Sequence, residues 1–271
     1  MQIQDRVAVV TGGASGIGRA VSLELARRGI KKIAVVDQSV QTEIAAEQIN
    51  NEINRDVAIA YRGDVMDDAF RTRVYDEICS RFGIVSICVP AAGITLDALA
   101  VKINKETGKA DIYPREHFER VVGVNLVAPV YWAMGMIARI AEDRALRGLK
   151  KWHPEEHVQG TVIFIGSVSS QGVKGQVSYA STKAGLGGAA ATLMKEAIYY
   201  GVRCGVIHPG YTDTPMVRAL GDEYIESHVL PDTQISRLIR PEEIADAICF
   251  MISNSIVSGQ LWADAGWHPS A

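Results

Sequence analysis

Short apolar runs rich in β-branched residues alternate with segments of helical periodicity from the start of the chain, and this rhythm constrains the fold most. Residues 7–10 (Val-Ala-Val-Val) read as a strand and lead into a glycine-rich turn. Ile17, Ala20, Val21, Leu23, Leu25 and Ala26 then recur at helical spacing up to Gly29, a natural helix stop. The pattern repeats with a strand at 33–36, a helix at 42–53, a strand from 57 to 60, and an amphipathic helix at 69–82. An almost unbroken apolar strand follows at 84–89, the pattern of a strand covered on both faces. Further strands are expected at 161–165, 203–207 and 259–263, with helices around 114–147, 178–200 and 242–252. Strand, helix, strand at this interval predicts βαβ units. The expected fold is α/β: a single doubly wound, Rossmann-type domain over 1–271, with a parallel sheet of about seven strands and helices on both faces.

Composition narrows the partners. A hydrophobic content of 48% supports a substantial core, and a net charge of −3 supplies no basic field for nucleic acid or an anionic membrane. The four cysteines are scattered, without disulfide or zinc spacing, which favours a reducing, cytoplasmic setting. No charged-then-apolar leader precedes the first strand, so a signal peptide is not expected. Residues 121–141 are long and mostly apolar, yet carry Asn125, Pro129 and Arg139; a buried core helix is expected there rather than a membrane span. His153 and His157 flank a very polar Pro-Glu-Glu stretch with no third ligand in view, so no metal is expected.

The first turn reads Thr11-Gly12-Gly13-Ala14-Ser15-Gly16-Ile17-Gly18. Glycines at 12, 16 and 18 let backbone turn tightly against a pyrophosphate, whose charge the following helix N-terminus stabilises. The loop follows a strand and opens a helix, the context a dinucleotide fingerprint requires. Gly12, Ser15, Gly16, Ile17 and Gly18 are therefore candidate cofactor contacts. Asp37 follows Gly18 at the end of the second strand, where a carboxylate can accept from ribose hydroxyls and repel a 2′-phosphate. Gln38 and Ser39 are neutral, so NAD is expected over NADP. Asp64 and Val65, beyond the third strand, are candidates for the adenine, though an aspartate there also suits a turn.

Tyr179 and Lys183 stand four apart at the start of a helix, on one face. A phenol ionises near pH ~10; a nearby ammonium and a positive nicotinamide would lower that value. The spacing alone is common. Ser167, just past the strand at 161–165, can donate to the same oxygen, although a local backbone bond would also satisfy it. The glycine loop, Asp37, a serine ahead of Tyr-x-x-x-Lys, and Pro209-Gly210 together resemble the short-chain dehydrogenase/reductase family over essentially the whole chain. The resemblance implies a catalytic set of Asn125, Ser167, Tyr179 and Lys183, with Tyr179 as general acid/base and Ser167 polarising the substrate oxygen. It places Lys183 on the nicotinamide ribose, and Asn125 on a water linking Lys183 to solvent. Ala92 and Gly93 are implied as backbone contacts to the cofactor. Pro209, Gly210, Thr212 and Thr214 fall in the segment implied around the carboxamide. It also implies a homotetramer.

This sequence departs from the family's Asn-Asn-Ala-Gly stretch, reading Pro90-Ala91-Ala92-Gly93 and lacking two amides that tie down neighbouring backbone. Residues 93–97 and 165–168 look like the family's 3-oxoacyl-thioester reductases. Those serving acyl carrier proteins mostly use NADPH and present basic residues, which Asp37 and the acidic balance oppose. The expected substrate is a small carbonyl or alcohol compound, a secondary alcohol or hydroxyacyl compound, interconverted with its ketone. The thioester reductase is the alternative; a non-catalytic NAD-binding protein fits less well, because Tyr179 and Lys183 are both present. Residues 102–115 and 142–160 are expected as polar surface excursions, and 211–240 as a substrate lid in which Val217, Leu220, Tyr224 and Ile225 are apolar. Trp262 and Trp267 are expected at a subunit contact.

Overall fold

The computed structural model describes residues 1–267. In chain order its elements are β1 (Val7–Thr11), α1 (Gly16–Arg27), β2 (Lys32–Asp37), α2 (Thr42–Ile53), β3 (Ala58–Arg62), α3 (Asp68–Phe82), β4 (Val85–Pro90), β5 (Val101–Ile103) and β6 (Ala110–Ile112). There follow α4 (Arg115–Val122), α5 (Ala128–Leu146), β7 (Gly160–Ile165), α6 (Val177–Ala197), β8 (Val202–Pro209), the short α7 (Pro215–Arg218) and α8 (Asp222–Tyr224), α9 (Pro241–Ser253) and β9 (Gly259–Ala263). Seven strands form one parallel sheet in the order β3-β2-β1-β4-β7-β8-β9. The winding reverses between β1 and β4, which opens a crevice beyond their carboxyl ends.

The two-residue period of the strands sorts their side chains into two cores. Ala8, Val10, Ile33, Val35, Ile163 and Ile165 face α1, α2 and α9, while Val7, Val9, Ala34, Val36, Val162 and Phe164 face α3, α5 and α6. Every residue of β1 is buried, as its unbroken apolar run requires. Helix boundaries follow local chemistry. Asp67 caps α3 by accepting from the backbone N–H groups of Ala69 and Phe70. Pro241 opens α9, where the Glu243 carboxylate reaches back to the Arg240 N–H at 2.8 Å. At the other end of α9 the Arg203 guanidinium donates to carbonyls of Met251 and Asn254, satisfying groups that the helix leaves open.

The long apolar helical segment packs as core. Arg115–Leu146 is long and apolar enough to cross a membrane by length and composition, but Trp132, Ala133 and Met136 are completely buried against the sheet. Trp132 Nε1 donates to the Val65 carbonyl at 3.0 Å, and its own carbonyl accepts from the Tyr75 hydroxyl at 2.6 Å. Two sequence expectations change in detail. The excursion at 102–115 lies at the surface and has regular structure: β5 and β6 pair as an antiparallel hairpin whose Val101, Ile103 and Ile112 are exposed. In 142–160 the first residues prolong α5, and buried Arg144 then holds the loop by a bidentate bond to Glu156 at 2.6 and 3.1 Å. That guanidinium pulls the Glu156 carboxyl down to about 2.

Candidate active site

A cleft of about 310 Å³ lies at the reversal point, and Gly12, Ser15, Gly16, Ile17, Gly18, Asp37, Asp64, Val65, Ala92, Gly93, Tyr179, Lys183 and Thr214 all line it. The glycine loop is built to leave no room for side chains. A Cβ at residue 18 would lie 2.3 Å from the Gly12 carbonyl oxygen, and one at residue 12 would lie 2.7 Å from the Ala92 nitrogen. Gly12 also has φ +67°, a region that favours glycine. The loop thus packs backbone on backbone and presents the start of α1 to the cleft, the arrangement that suits a pyrophosphate. These residues fit a nicotinamide dinucleotide.

Asp37 has two attachments. One carboxylate oxygen accepts from the Ala14 N–H at 3.2 Å and the other from Ser39 N–H at 3.0 Å, so the side chain ties the loop to the end of β2 while still facing the cleft. Asp37 does not cap α2, which starts from Gln41 without a side-chain bond; it braces the glycine loop and the turn after β2. Asp64 likewise closes a turn onto Met66 N–H at 2.9 Å while lining the cleft. Arg120, which sequence reasoning missed, also reaches the cleft, where its guanidinium lies 3.8 Å from Asp64. Arg62, the register neighbour of Asp37 on β3, instead lines a separate crevice with Tyr61, Arg73 and Arg81.

The segment without the usual amides is pinned by other groups. Thr11 accepts from Ala91 N–H through its carbonyl at 3.2 Å and from Ala92 N–H through its hydroxyl at 3.1 Å. Asn125 clamps Ile94 on the far side, accepting from its N–H at 2.9 Å and donating to its carbonyl at 2.8 Å. Asn125 sits in the π-helical turn Gly123–Val127 between α4 and α5, so the polar interruption in an apolar helix is used to hold a loop.

Asn125, Lys183 and the main chain at Gly93 converge: a Cβ placed on Gly93 would lie 3.5 Å from Asn125 Oδ1 and 3.9 Å from Lys183 Nζ. Lys183 Nζ donates to the Ile165 carbonyl at 2.8 Å and lies 5.4 Å from the centre of the Tyr179 ring. Burial lowers its pKa to about 8. Burial also pushes the Tyr179 phenol up to about 12, with the Ser167 hydroxyl pulling it down and the Asp97 carboxylate pushing it further up. The expected lowering by Lys183 is not what sets the phenol in the protein by itself; burial decides the direction, and Ser167 is the group that opposes it. Ser167 stands at the end of β7, its oxygen accepting from Ser169 N–H at 3.1 Å, which leaves the hydroxyl proton available.

Some expected contacts lie behind the cleft wall. Asn125 and Ser167 are buried beside it. Thr212 is buried and donates to the Gly210 carbonyl at 3.0 Å, and a Cβ at residue 210 would meet the Asp264 carbonyl oxygen at 2.7 Å; Pro209 ends β8 just before them. These three shape the turn that delivers Thr214. In the lid, Ile225, Val229 and Leu238 form a small core of their own, against which Val217 packs, whereas Leu220 and Tyr224 are exposed. The apolar residues that the lid sends into the cleft are Pro215 and Met216, not the four expected. Period and hydrophobicity carry no sign of that choice. Trp262 and Trp267 find ring partners within the chain, His208 at 4.2 Å and Tyr211 at 5.3 Å.

Comparison with known proteins agrees with this architecture. The family model described as short chain dehydrogenase matches residues 6–225. The chain is 31% identical over 255 residues to a 3-oxoacyl-[acyl-carrier-protein] reductase of Escherichia coli, covering 94% of this chain and 92% of that one. It is 31% identical over 270 residues to an acetoacetyl-CoA reductase of Synechocystis, covering 98% and 97%. Among solved structures, a short-chain type dehydrogenase/reductase from Mycobacterium marinum superposes with a TM-score of 0.83 at 22% identity, covering 99% of this chain and 98% of that one.

Proposed function

Because the chain belongs to the short-chain dehydrogenase family and is an oxidoreductase acting on CH–OH and C=O groups, we propose that it interconverts a secondary alcohol or hydroxyacyl compound and its ketone with NAD(H). The observation that carries this reading is the convergence of Tyr179 and Lys183 on one cleft with the glycine loop and Asp37. In this reading the whole chain acts as one nucleotide-binding unit.

A bound nicotinamide dinucleotide supplies or accepts the hydride. In the reductive direction the carbonyl carbon gains that hydride, and its oxygen gains a proton from the Tyr179 phenol. With its pKa pushed up to about 12, the phenol holds that proton throughout the neutral range. Ser167 donates a hydrogen bond to the same oxygen and stabilises the charge that develops there. Lys183 holds the nicotinamide ribose, and its ammonium favours the phenolate left after transfer. Asn125 fixes Ile94 and the floor beside Lys183. The preference for NAD rests on the Asp37 carboxylate, which repels a 2′-phosphate, while Arg62 faces another crevice.

A second reading, a 3-oxoacyl-thioester reductase, is favoured by the relatives named as acyl-carrier-protein and acetoacetyl-CoA reductases. One panel separates the two: secondary alcohols, simple ketones and 3-oxoacyl thioesters, each assayed with NAD(H) and NADP(H). The primary reading predicts turnover of ketone and alcohol with NAD(H) at least about tenfold above NADP(H). Efficient thioester reduction driven by NADPH would replace it with the second.

A further inference from the structure

His208 lies near the carboxyl end of β8 and has no part in the chemistry proposed above. Its imidazole is buried directly behind Ser167. Nδ1 stands 3.3 Å from the Ser167 nitrogen, 3.0 Å from the Ser167 carbonyl oxygen and 3.4 Å from the Ser170 hydroxyl. On the other side of the ring, Nε2 is 2.8 Å from Gln260 Oε1 on β9. The ring stacks on Trp262, also on β9, with an interplanar angle of 15°. A Cβ at residue 166 would fall 2.5 Å from Nδ1, so Gly166 permits the approach.

Either tautomer joins the ring to Ser167: with Nε2 donating to Gln260 Oε1, Nδ1 receives the Ser167 N–H, and with the proton on Nδ1 the ring donates to the Ser167 carbonyl oxygen. Ser167 is at the step from β7 into a 3-10 turn, with extended backbone, and its side-chain oxygen is already engaged by Ser169 N–H. The direction of its hydroxyl is therefore set by the orientation of the residue 166–167 peptide. That peptide is gripped from behind by His208, and the His208 ring is itself held by Gln260 and Trp262.

We propose that His208 is a positioning residue: it fixes the Ser167 backbone against β8 and β9, and so aims the hydroxyl at the substrate oxygen. The inference rests on the assignment of Ser167 to that oxygen. Displacing a reacting group by about 1 Å is enough to cost a large part of a rate, and a group held by locked neighbours avoids that loss.

Two substitutions separate the nitrogens. His208→Asn puts an amide where Nδ1 stands, and His208→Gln puts one where Nε2 stands; both lose the Trp262 stack, so their difference weighs the Ser167 bond against the Gln260 bond, whose own effect Gln260→Leu measures. With a ketone that the unsubstituted protein reduces, kcat should be about tenfold lower in His208→Gln than in His208→Asn. NADH dissociation constants should agree within about twofold and Tm should fall alike in both. Gln260→Leu, at an exposed position, should lower kcat about threefold with NADH binding unchanged. Equal kcat in the two His208 variants, or losses that merely follow Tm across all three, would reduce His208 to a packing residue. Ser167→Ala is measured beside them. If it turns over normally, the assignment of Ser167 fails and the positioning role goes with it; if it is inactive while the two His208 variants match, the positioning role alone is overturned.

Discussion

At the β1–β2 end of the cleft the surface offered to a ligand is largely main chain: Gly12, Gly16 and Gly18 exclude side chains, and Asp37 is held by two backbone N–H groups. Beyond β8 the opposite wall is made by side chains on the stretch 211–240, which has a small apolar core of its own and sends Met216 into the cleft. The first wall tolerates almost no change at Gly12 and Gly18, because a Cβ there would meet backbone that cannot rearrange. The second can exchange side chains while its internal core stays intact. A common cofactor and a variable substrate are what such a division suits.

The sharpest way to break this contrast is to add one methyl group to the first wall. Gly18→Ala drives a Cβ against the Gly12 carbonyl and should weaken NADH binding about 100-fold, measured by fluorescence titration. Near-normal binding would show that the loop yields and that the distinction between the walls is false. The Tyr179–Lys183 pair, where the walls meet, should give a pH signature. The Lys183 ammonium is lost as pH rises through about 8, while the Tyr179 phenol stays protonated, so ketone reduction should be level below that point and fall above it. The fall should approach about tenfold per pH unit; a rate that climbs there would contradict the roles given to both groups.

At Asp37 the geometry changes the experiment. Replacement by alanine would also release Ala14 and Ser39, confusing cofactor choice with loop collapse. Asp37→Asn retains an acceptor and removes the charge; it should narrow the NAD over NADP preference by about tenfold in kcat/KM. An unchanged ratio would remove Asp37 from cofactor selection. On the opposite wall Met216→Ala should reorder ketones of different bulk by roughly threefold to tenfold in kcat/KM, whereas Leu220→Ala, exposed and outside the cleft, should leave the order alone. The reverse result would restore Leu220 as a substrate contact.

The same contrast explains which parts of the molecule are legible in the amino-acid sequence. The alternation of strand and helix places the seven main strands within a residue or two, because strands buried on both faces carry unbroken apolar runs. The glycine loop is legible because a backbone contact leaves a mark in residue type. Side-chain choices leave no such mark. Nothing in the spacing of Val217, Leu220, Tyr224 and Ile225 says that Ile225 turns inward and Met216 reaches the cleft. Thr11 and Asn125, which hold the segment after Pro90, lie far from it in sequence, and His208 is adjacent to Ser167 only because β7 and β8 are paired. The hairpin of β5 and β6 is hidden for another reason: its strands, Val-Lys-Ile and Ala-Asp-Ile, are three residues each, and the polar turn between them dominates the stretch.

The most direct test of the central claim is Tyr179→Phe, which removes one oxygen from a side chain on the cleft wall and leaves the ring in place. Turnover of the best ketone with NADH should fall by at least about 100-fold, with the NADH dissociation constant within about twofold of the unsubstituted protein. Turnover that survives the substitution while NADH binding is intact would contradict the account, because the proton would then have to come from a group other than Tyr179.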